Sequence, residues 1–215
     1  MTESGLKYLK LARTAREEGN TEDAKRYYDM VRTDDPENGE AKFFFAFYSL
    51  YEGTNGEIPN RFSNLCTGLK SSISLVKGSD ADEAEKISII GAILDAFIPE
   101  TWSENRYMNN KNHETKVGDS YVKVFEPSQI TAVSKEGMAT LKNIGDYIAS
   151  IYSSSPEGMK LAVKAWKEYV SLSQKWYAYA VKGDAEAYAA KIQAVEPGYE
   201  MPKKAGCISF ADNKK

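Results

Sequence analysis

Residues 5–38 read GLKYLKLARTAREEGNTEDAKRYYDMVRTDDPEN. On both sides of Gly19 and Asn20 the apolar side chains recur at intervals of three and four, which is the spacing of amphipathic helices. Glycine and asparagine tolerate the left-handed conformation at a helix end, so these two residues are expected to end the first helix. Thr21 opens the second helix. Pro36 ends that helix, because the residue before a proline is pushed out of the α region. The segment therefore predicts a helical hairpin.

The hairpin carries small and large side chains at fixed intervals. These are Tyr8, Leu11, Ala12, Ala15, Gly19, Ala24, Tyr28, Val31 and Pro36. In this register the chain resembles the tetratricopeptide repeat (TPR) of small bacterial proteins, with Ala15 in place of the usual aromatic and Val31 in place of the usual small residue. The short side chains of Ala12 and Ala24 let two antiparallel helices approach closely. The resemblance is specific over residues 5–53, with a degenerate echo at 169–200.

The resemblance implies the fold. One repeat leaves an apolar face bare, so about three or more units must stack. We therefore expect an all-α protein of antiparallel helical hairpins, stacked as a TPR-like right-handed array that is irregular in the middle. The predicted parts are a TPR-like N-terminal helical half (1–98), a polar loop or linker (99–127), a C-terminal helical half packed on the first (128–200) and an irregular tail (201–215). A single continuous domain stays an open alternative.

Composition bears on the class of protein. Lysine and arginine total 28 against 31 aspartate and glutamate, a net charge of −3, which disfavours nucleic acid as a partner. The two cysteines, Cys66 and Cys207, are far apart in sequence and fit a reducing compartment. The longest apolar stretch, residues 43–51, is about half as long as a membrane-crossing helix needs. We therefore predict a cytoplasmic protein with no membrane partner.

The sequence shows no catalytic constellation. The single histidine, His113, lies in an asparagine-rich polar run, which predicts a solvated loop side chain rather than a metal ligand or a member of a triad. Neither a Cys-x-x-Cys pair nor a glycine-rich phosphate loop is present. The acidic runs at 17–18 and 80–83 lie at predicted helix ends, where charge is solvated or complements the dipole. We predict no catalytic residue, no metal and no cofactor, and no enzymatic activity.

A TPR array binds its partners in a groove lined by the first helix of each hairpin. The resemblance implies that this groove is lined by Leu9, Arg13, Arg16, Glu17, Lys42 and Phe43. Arg13 and Arg16 are three residues apart on one helical face, where they are suited to grip a carboxylate or phosphate. Leu9 stands at one position of the family's carboxylate clamp, so that clamp is incomplete. The resulting prediction is a protein–protein interaction scaffold with a protein or peptide partner.

An alternative function stays open. It is a helical small-ligand binder or enzyme with a pocket between the two helical halves, lined by Trp102, Tyr107 and Trp166. The aromatic stripe of Trp166, Tyr169 and Trp176 is either core or a binding surface, since a helix buries such side chains in both cases. A deep, partly polar pocket would favour the alternative, and an open groove would favour the scaffold.

Overall fold

The computed structural model of the chain describes residues 1–114, 116–117, 120–121, 124–176 and 180–204, with the backbone alone at 104, 106, 112–114, 116–117 and 120–121. Eight α-helices make up most of these residues. They are α1 (Glu3–Glu17), α2 (Thr21–Asp34), α3 (Gly39–Tyr48), α4 (Ile58–Gly78), α5 (Glu83–Glu114), α6 (Pro127–Ile151), α7 (Pro156–Lys175) and α8 (Asp184–Val195). A 3-10 turn (Asn55–Glu57) precedes α4, and two antiparallel strands, β1 (Lys116–Val117) and β2 (Ser120–Tyr121), follow α5. The predicted all-α class is confirmed.

The predicted helical hairpin at the N-terminus is confirmed as α1 and α2. Gly19 adopts the left-handed conformation with φ of +71°, where a side chain would be strained. Asn20 has a different role from the one predicted, because its side chain accepts a hydrogen bond from the backbone N–H of Asp23 at 3.2 Å and caps α2. Ala12 and Ala24 are both fully buried. The two helices therefore meet where their side chains are shortest.

The prediction of a polar loop is wrong for residues 99–114, which continue α5 as far as Glu114. Pro99 lies inside this helix without ending it. The residues beyond the proline are anchored, since Met108 is fully buried and the Asn105 amide donates to the Ser134 hydroxyl at 2.7 Å. Tertiary packing thus outweighs the backbone hydrogen bond that a proline removes. The predicted tail begins without regular structure at 201–204, and residues 205–215 lie outside the described part of the chain.

The helices pack mainly on neighbours in chain order. Every helix from α1 to α7 contacts the helix that follows it in the chain. In addition, α3 packs on α5, α4 packs on α6, and α5 packs on α7. Among the described residues, one continuous hydrophobic cluster runs from Leu9 in α1 to Ile192 in α8. None of the helices in the described residues has the length and apolar content that crossing a membrane requires.

Two fully buried tyrosines differ in what their hydroxyl groups contact. The Tyr28 hydroxyl lies 3.0 Å from both Glu40 Oε1 and Arg16 Nη1. The Tyr152 hydroxyl is buried with no hydrogen-bond partner among the described residues. Burial, helped by the charge of Glu83, raises the pKa of Tyr152 to about 12. The Tyr28 hydroxyl therefore stabilises the fold, whereas the Tyr152 hydroxyl destabilises it because it loses its hydration without gaining a hydrogen bond.

Phenylalanine substitutions at the two sites should have opposite effects. Tyr152→Phe is expected to raise the free energy of unfolding by about 1 kcal/mol, because it removes a desolvated and unpaired hydroxyl. Tyr28→Phe is expected to lower it by about 2 kcal/mol, because charged groups lose a partner. Urea unfolding followed by circular dichroism measures both values. Changes of the same sign would contradict the difference in bonding.

Candidate functional site

The carboxylate of Glu40 lies in the first turn of α3 and is held by the preceding hairpin. It is only 2% exposed. Arg13 donates to Oε2 from Nε at 3.0 Å and from Nη2 at 2.6 Å, and Arg16 donates from Nη1 to Oε1 at 3.2 Å. The Tyr28 hydroxyl donates to Oε1 at 3.0 Å. One carboxylate thus joins α1 and α2 to α3. We call Glu40, Arg13, Arg16 and Tyr28 the Glu40 cluster.

The charges of the Glu40 cluster are matched inside the protein. Burial lowers the pKa of Arg13, but hydrogen bonds and charge from Glu40 and Glu85 outweigh burial and raise the pKa above its usual value. Burial and the charge of Glu40 raise the pKa of Tyr28. At neutral pH Arg13 therefore stays charged and Tyr28 stays protonated, which is the state that donates to the carboxylate.

The two arginines that were predicted to grip a ligand instead grip carboxylates of the chain itself. Both contact Glu40, and Arg13 Nη1 also donates to Glu85 Oε1 at 3.1 Å. Two cations against two carboxylates leave this group of four neutral. A free carboxylate or phosphate approaching the pair would have to compete with ion pairs that are already formed.

The other predicted groove residues are dispersed. Leu9 is buried, Glu17 is exposed in the last turn of α1, and Lys42 is exposed with its amine 3.3 Å from the Ser71 hydroxyl. The prediction that Phe43 lines a groove is wrong, because this side chain is 1% exposed and its ring meets the Phe44 ring edge-on at 5.1 Å. The core takes Phe43 because α3 is apolar on most faces and packs against α2, α4 and α5.

A cleft of about 580 Å³ opens beside the Glu40 cluster. It lies between α1, the first turn of α3, the end of α4 and the start of α5, and we call it the α1–α5 cleft. Its apolar wall is formed by Leu6, Leu9, Leu75 and Ile89. Of the predicted groove residues, Leu9 and Arg13 line this cleft.

Carboxylates surround the same cleft. Asp35 and Glu37 stand at the entry to α3, Asp80 lies between α4 and α5, and Glu85 is in the first turn of α5. None of these four carboxylates is among the groove residues predicted from the sequence. The run at 80–83 was interpreted as solvated helix-end charge, since nothing in the local sequence shows that α4 and α5 turn back toward α1. The cleft therefore combines an apolar wall with an acidic rim.

Two close contacts fix the edges of the cleft. Gly39 starts α3 directly against α4, where an added Cβ would lie 2.2 Å from the carbonyl oxygen of Ser72. Thr2 holds the start of α1 against the end of α2, because its backbone N–H and its hydroxyl donate to the Asp34 carboxylate at 2.9 and 2.6 Å. The walls of the cleft are thus held by the backbone and by helix caps.

The three residues of the alternative pocket lie in separate contacts. The Trp102 ring meets the Trp176 ring with centroids 5.3 Å apart. Tyr107 donates its hydroxyl to the 3-10 turn before α4. Trp166 is buried in the core and donates from Nε1 to Asp146 at 3.2 Å. The described side chains therefore do not bring these three together around one pocket.

Metal-ligand side chains also lie apart in the described residues. Nowhere in that part of the chain do three His, Cys, Asp or Glu side chains converge as ligands of one ion would. Cys66 is a buried thiol in α4, while Cys207 and the side chain of His113 lie outside the described residues. The described residues do form a cleft with an apolar wall and an acidic rim, the α1–α5 cleft.

Comparison of the chain with models of known protein families gave no match. Searches of curated proteins and of solved structures gave no significant match either.

Proposed function

We propose that this chain is a TPR-like interaction scaffold without catalytic activity, and that its α1–α5 cleft binds a segment of a partner protein. The observation that carries the proposal is the open cleft of about 580 Å³ with its wall of leucine and isoleucine side chains. Exposed apolar surface rimmed by polar residues marks interaction sites in proteins. Leu6 contributes to that surface, since it is 49% exposed.

The helix packing supports the TPR-like part of the proposal. In a stack of hairpins each helix contacts its neighbours in chain order and the equivalent helix of the next hairpin. The contacts of α3 with α5, α4 with α6 and α5 with α7 follow that order, whereas the described backbones of α1 and α3, α2 and α4, and α6 and α8 meet at most weakly. We propose that α1, α3, α5 and α7 are the first helices of the hairpins and that the hairpins stack in a right-handed array. Three of these four helices, α1, α3 and α5, border the α1–α5 cleft together with the end of α4.

The polar groups of the cleft favour binding over chemistry. Arg13 is already engaged by Glu40 and Glu85, and the Ser79 hydroxyl donates to the Val76 carbonyl at 2.8 Å. A catalytic site needs a nucleophile or base with an orienting partner aimed at one reacting atom. The proposed partner is a protein or peptide, and the proposed location is the cytoplasm.

Site-specific photo-crosslinking in the native host tests the proposal. A benzophenone side chain replaces Ser74, which lines the cleft and is exposed, or Glu186, which is exposed on α8. We expect a discrete protein adduct from position 74 and none of the same mass from position 186. Adding Leu6→Asp should remove the adduct, because a charge then interrupts the apolar wall. Identical adducts from both positions, or none from position 74, would overturn the proposal.

A further inference from the structure

We infer that the α1–α5 cleft selects a cationic apolar segment, in which lysine or arginine flanks an aliphatic side chain. The inference rests on the proposed function, because it names the partner chemistry of the same cleft. It reverses the expectation from the arginine pair, which by itself would favour an acidic partner.

The internal pairing of the arginines sets the sign of the charge. Arg16 and Arg13 are the cations nearest the cleft in the Glu40 cluster, and Glu40 and Glu85 neutralise them. The lining holds five carboxylates, and its cations are the Arg13 guanidinium and the N-terminal amine of Met1, so the lining carries a net negative charge. A partner that brought further carboxylates would add like charge to this rim, which costs affinity.

Three carboxylates are available to a partner. Asp35, Glu37 and Asp80 line the cleft, and none of them lies within ion-pair distance of a cation in the described residues. Glu37 and Asp80 are exposed, and Asp35 is half-buried. Each exposed ion pair alone contributes little. Three around one cleft act together, mainly on specificity and association rate, and their effect falls as salt rises.

The apolar wall supplies the second element of recognition. Leu6, Leu75 and Ile89 are all at least partly exposed, whereas Leu9 closes the wall from behind. An aliphatic side chain placed on them loses water contact on both sides of the interface, which favours binding in proportion to the area buried. The carboxylates stand around this wall, so a cation next to the aliphatic side chain reaches them.

Binding of three labelled peptides to the full chain tests the inference. The first alternates lysine and leucine, the second replaces every lysine with glutamate, and the third replaces every leucine with serine. All are acetylated, amidated and followed by fluorescence anisotropy at low and at physiological ionic strength. We expect the lysine–leucine peptide to bind at least tenfold more tightly than either of the others, with the difference from the glutamate peptide shrinking as salt rises.

Matched variants assign the binding to the cleft. Asp35→Asn, Glu37→Gln and Asp80→Asn together should reduce the affinity of the lysine–leucine peptide about tenfold. Asn at position 35 keeps the oxygen that accepts from the Glu37 backbone N–H. Glu18→Gln, Glu22→Gln and Glu186→Gln remove the same charge from exposed sites outside the cleft and should leave the affinity within twofold.

The outcomes separate the two proposals. Equal binding of the lysine and glutamate peptides, abolished by Leu6→Ser, would leave the cleft as a peptide site and overturn the charge preference. Equal losses in the two triple variants would also overturn it, since the effect would then come from net charge. No binding by any peptide, or binding unaffected by Leu6→Ser, would overturn both the charge preference and the binding role of the cleft.

Discussion

Glu40→Ala is expected to lower the free energy of unfolding by about 3 kcal/mol, because removing the buried carboxylate of an ion-pair network leaves partly desolvated cations without their shared counter-charge. Arg13 and Arg16 would both lose their shared carboxylate, and the Tyr28 hydroxyl would lose its acceptor. The arginine side chains are 29% and 22% exposed. Neither is therefore free to hydrate fully without leaving the hairpin.

Glu85→Ala is the matched control for this prediction. It removes a carboxylate that contacts the same Arg13, but the Glu85 side chain is 45% exposed. An exposed ion pair contributes about 0–1 kcal/mol, so the loss should stay within that range. Urea unfolding followed by far-ultraviolet circular dichroism measures both variants, and an unchanged slope against denaturant would show that the compactness of the two states is preserved. Equal losses at positions 40 and 85 would mean that burial of Glu40 is not what makes its pairing matter.

The parts of the fold that could be predicted from the sequence have local causes. Gly19 ends α1 because it accepts a left-handed conformation, and the alanines at positions 12 and 24 mark the face where α1 and α2 meet. Ser155 and Pro156 mark the start of α7 for the same kind of reason, since Ser155 accepts from the Gly158 backbone N–H at 3.2 Å. Signals that act within one turn of helix can be recognised without knowing the tertiary structure.

The Glu40 cluster could not be predicted in the same way. Glu40 lies in the first turn of a helix, where a carboxylate is favourable for the dipole alone. Its pairing with Arg13 and Arg16 depends on how α3 packs against α1, which is a long-range property. A signal was present in the two arginines three residues apart on a nearly buried face, because such a pair needs a counter-charge. The sequence does not show which of several acidic residues supplies it.

Long-range packing also decides the middle of the molecule and the aromatic stripe. A proline followed by a polar run predicts a loop after residue 98, but the buried Met108 keeps α5 helical. In the stripe, Trp166 and Tyr169 are core residues, whereas Trp176 is half-buried beyond the end of α7. Their spacing along the sequence alone predicts the same degree of burial for all three side chains. The rings of Trp166 and Tyr169 both contact Tyr188 of α8, whereas the Trp176 ring contacts Trp102 of α5.

Gly39→Ala should be as damaging as the loss of Glu40, at about 3 kcal/mol, because overpacking at a rigid contact forces two elements apart. The added Cβ would lie 2.2 Å from the Ser72 carbonyl oxygen and 2.9 Å from the Val76 backbone nitrogen. Both are backbone atoms inside α4, so no side chain can rotate away to make room. Relief requires α3 to move off α4, and that movement also displaces Glu40 from the arginines of α1.

Gly68→Ala is the matched control, because it makes the same glycine-to-alanine change at a site with room for the added methyl group. Gly68 lies inside α4, where an added Cβ meets nothing within 4 Å. Alanine is a better helix former than glycine, so this variant should gain about 0.5–1 kcal/mol. In denaturant unfolding, the free energy of unfolding should therefore fall for Gly39→Ala and rise for Gly68→Ala. A Gly39→Ala protein as stable as the parent would show that α3 and α4 do not meet through their backbones, and the cleft that they border would then have a different shape.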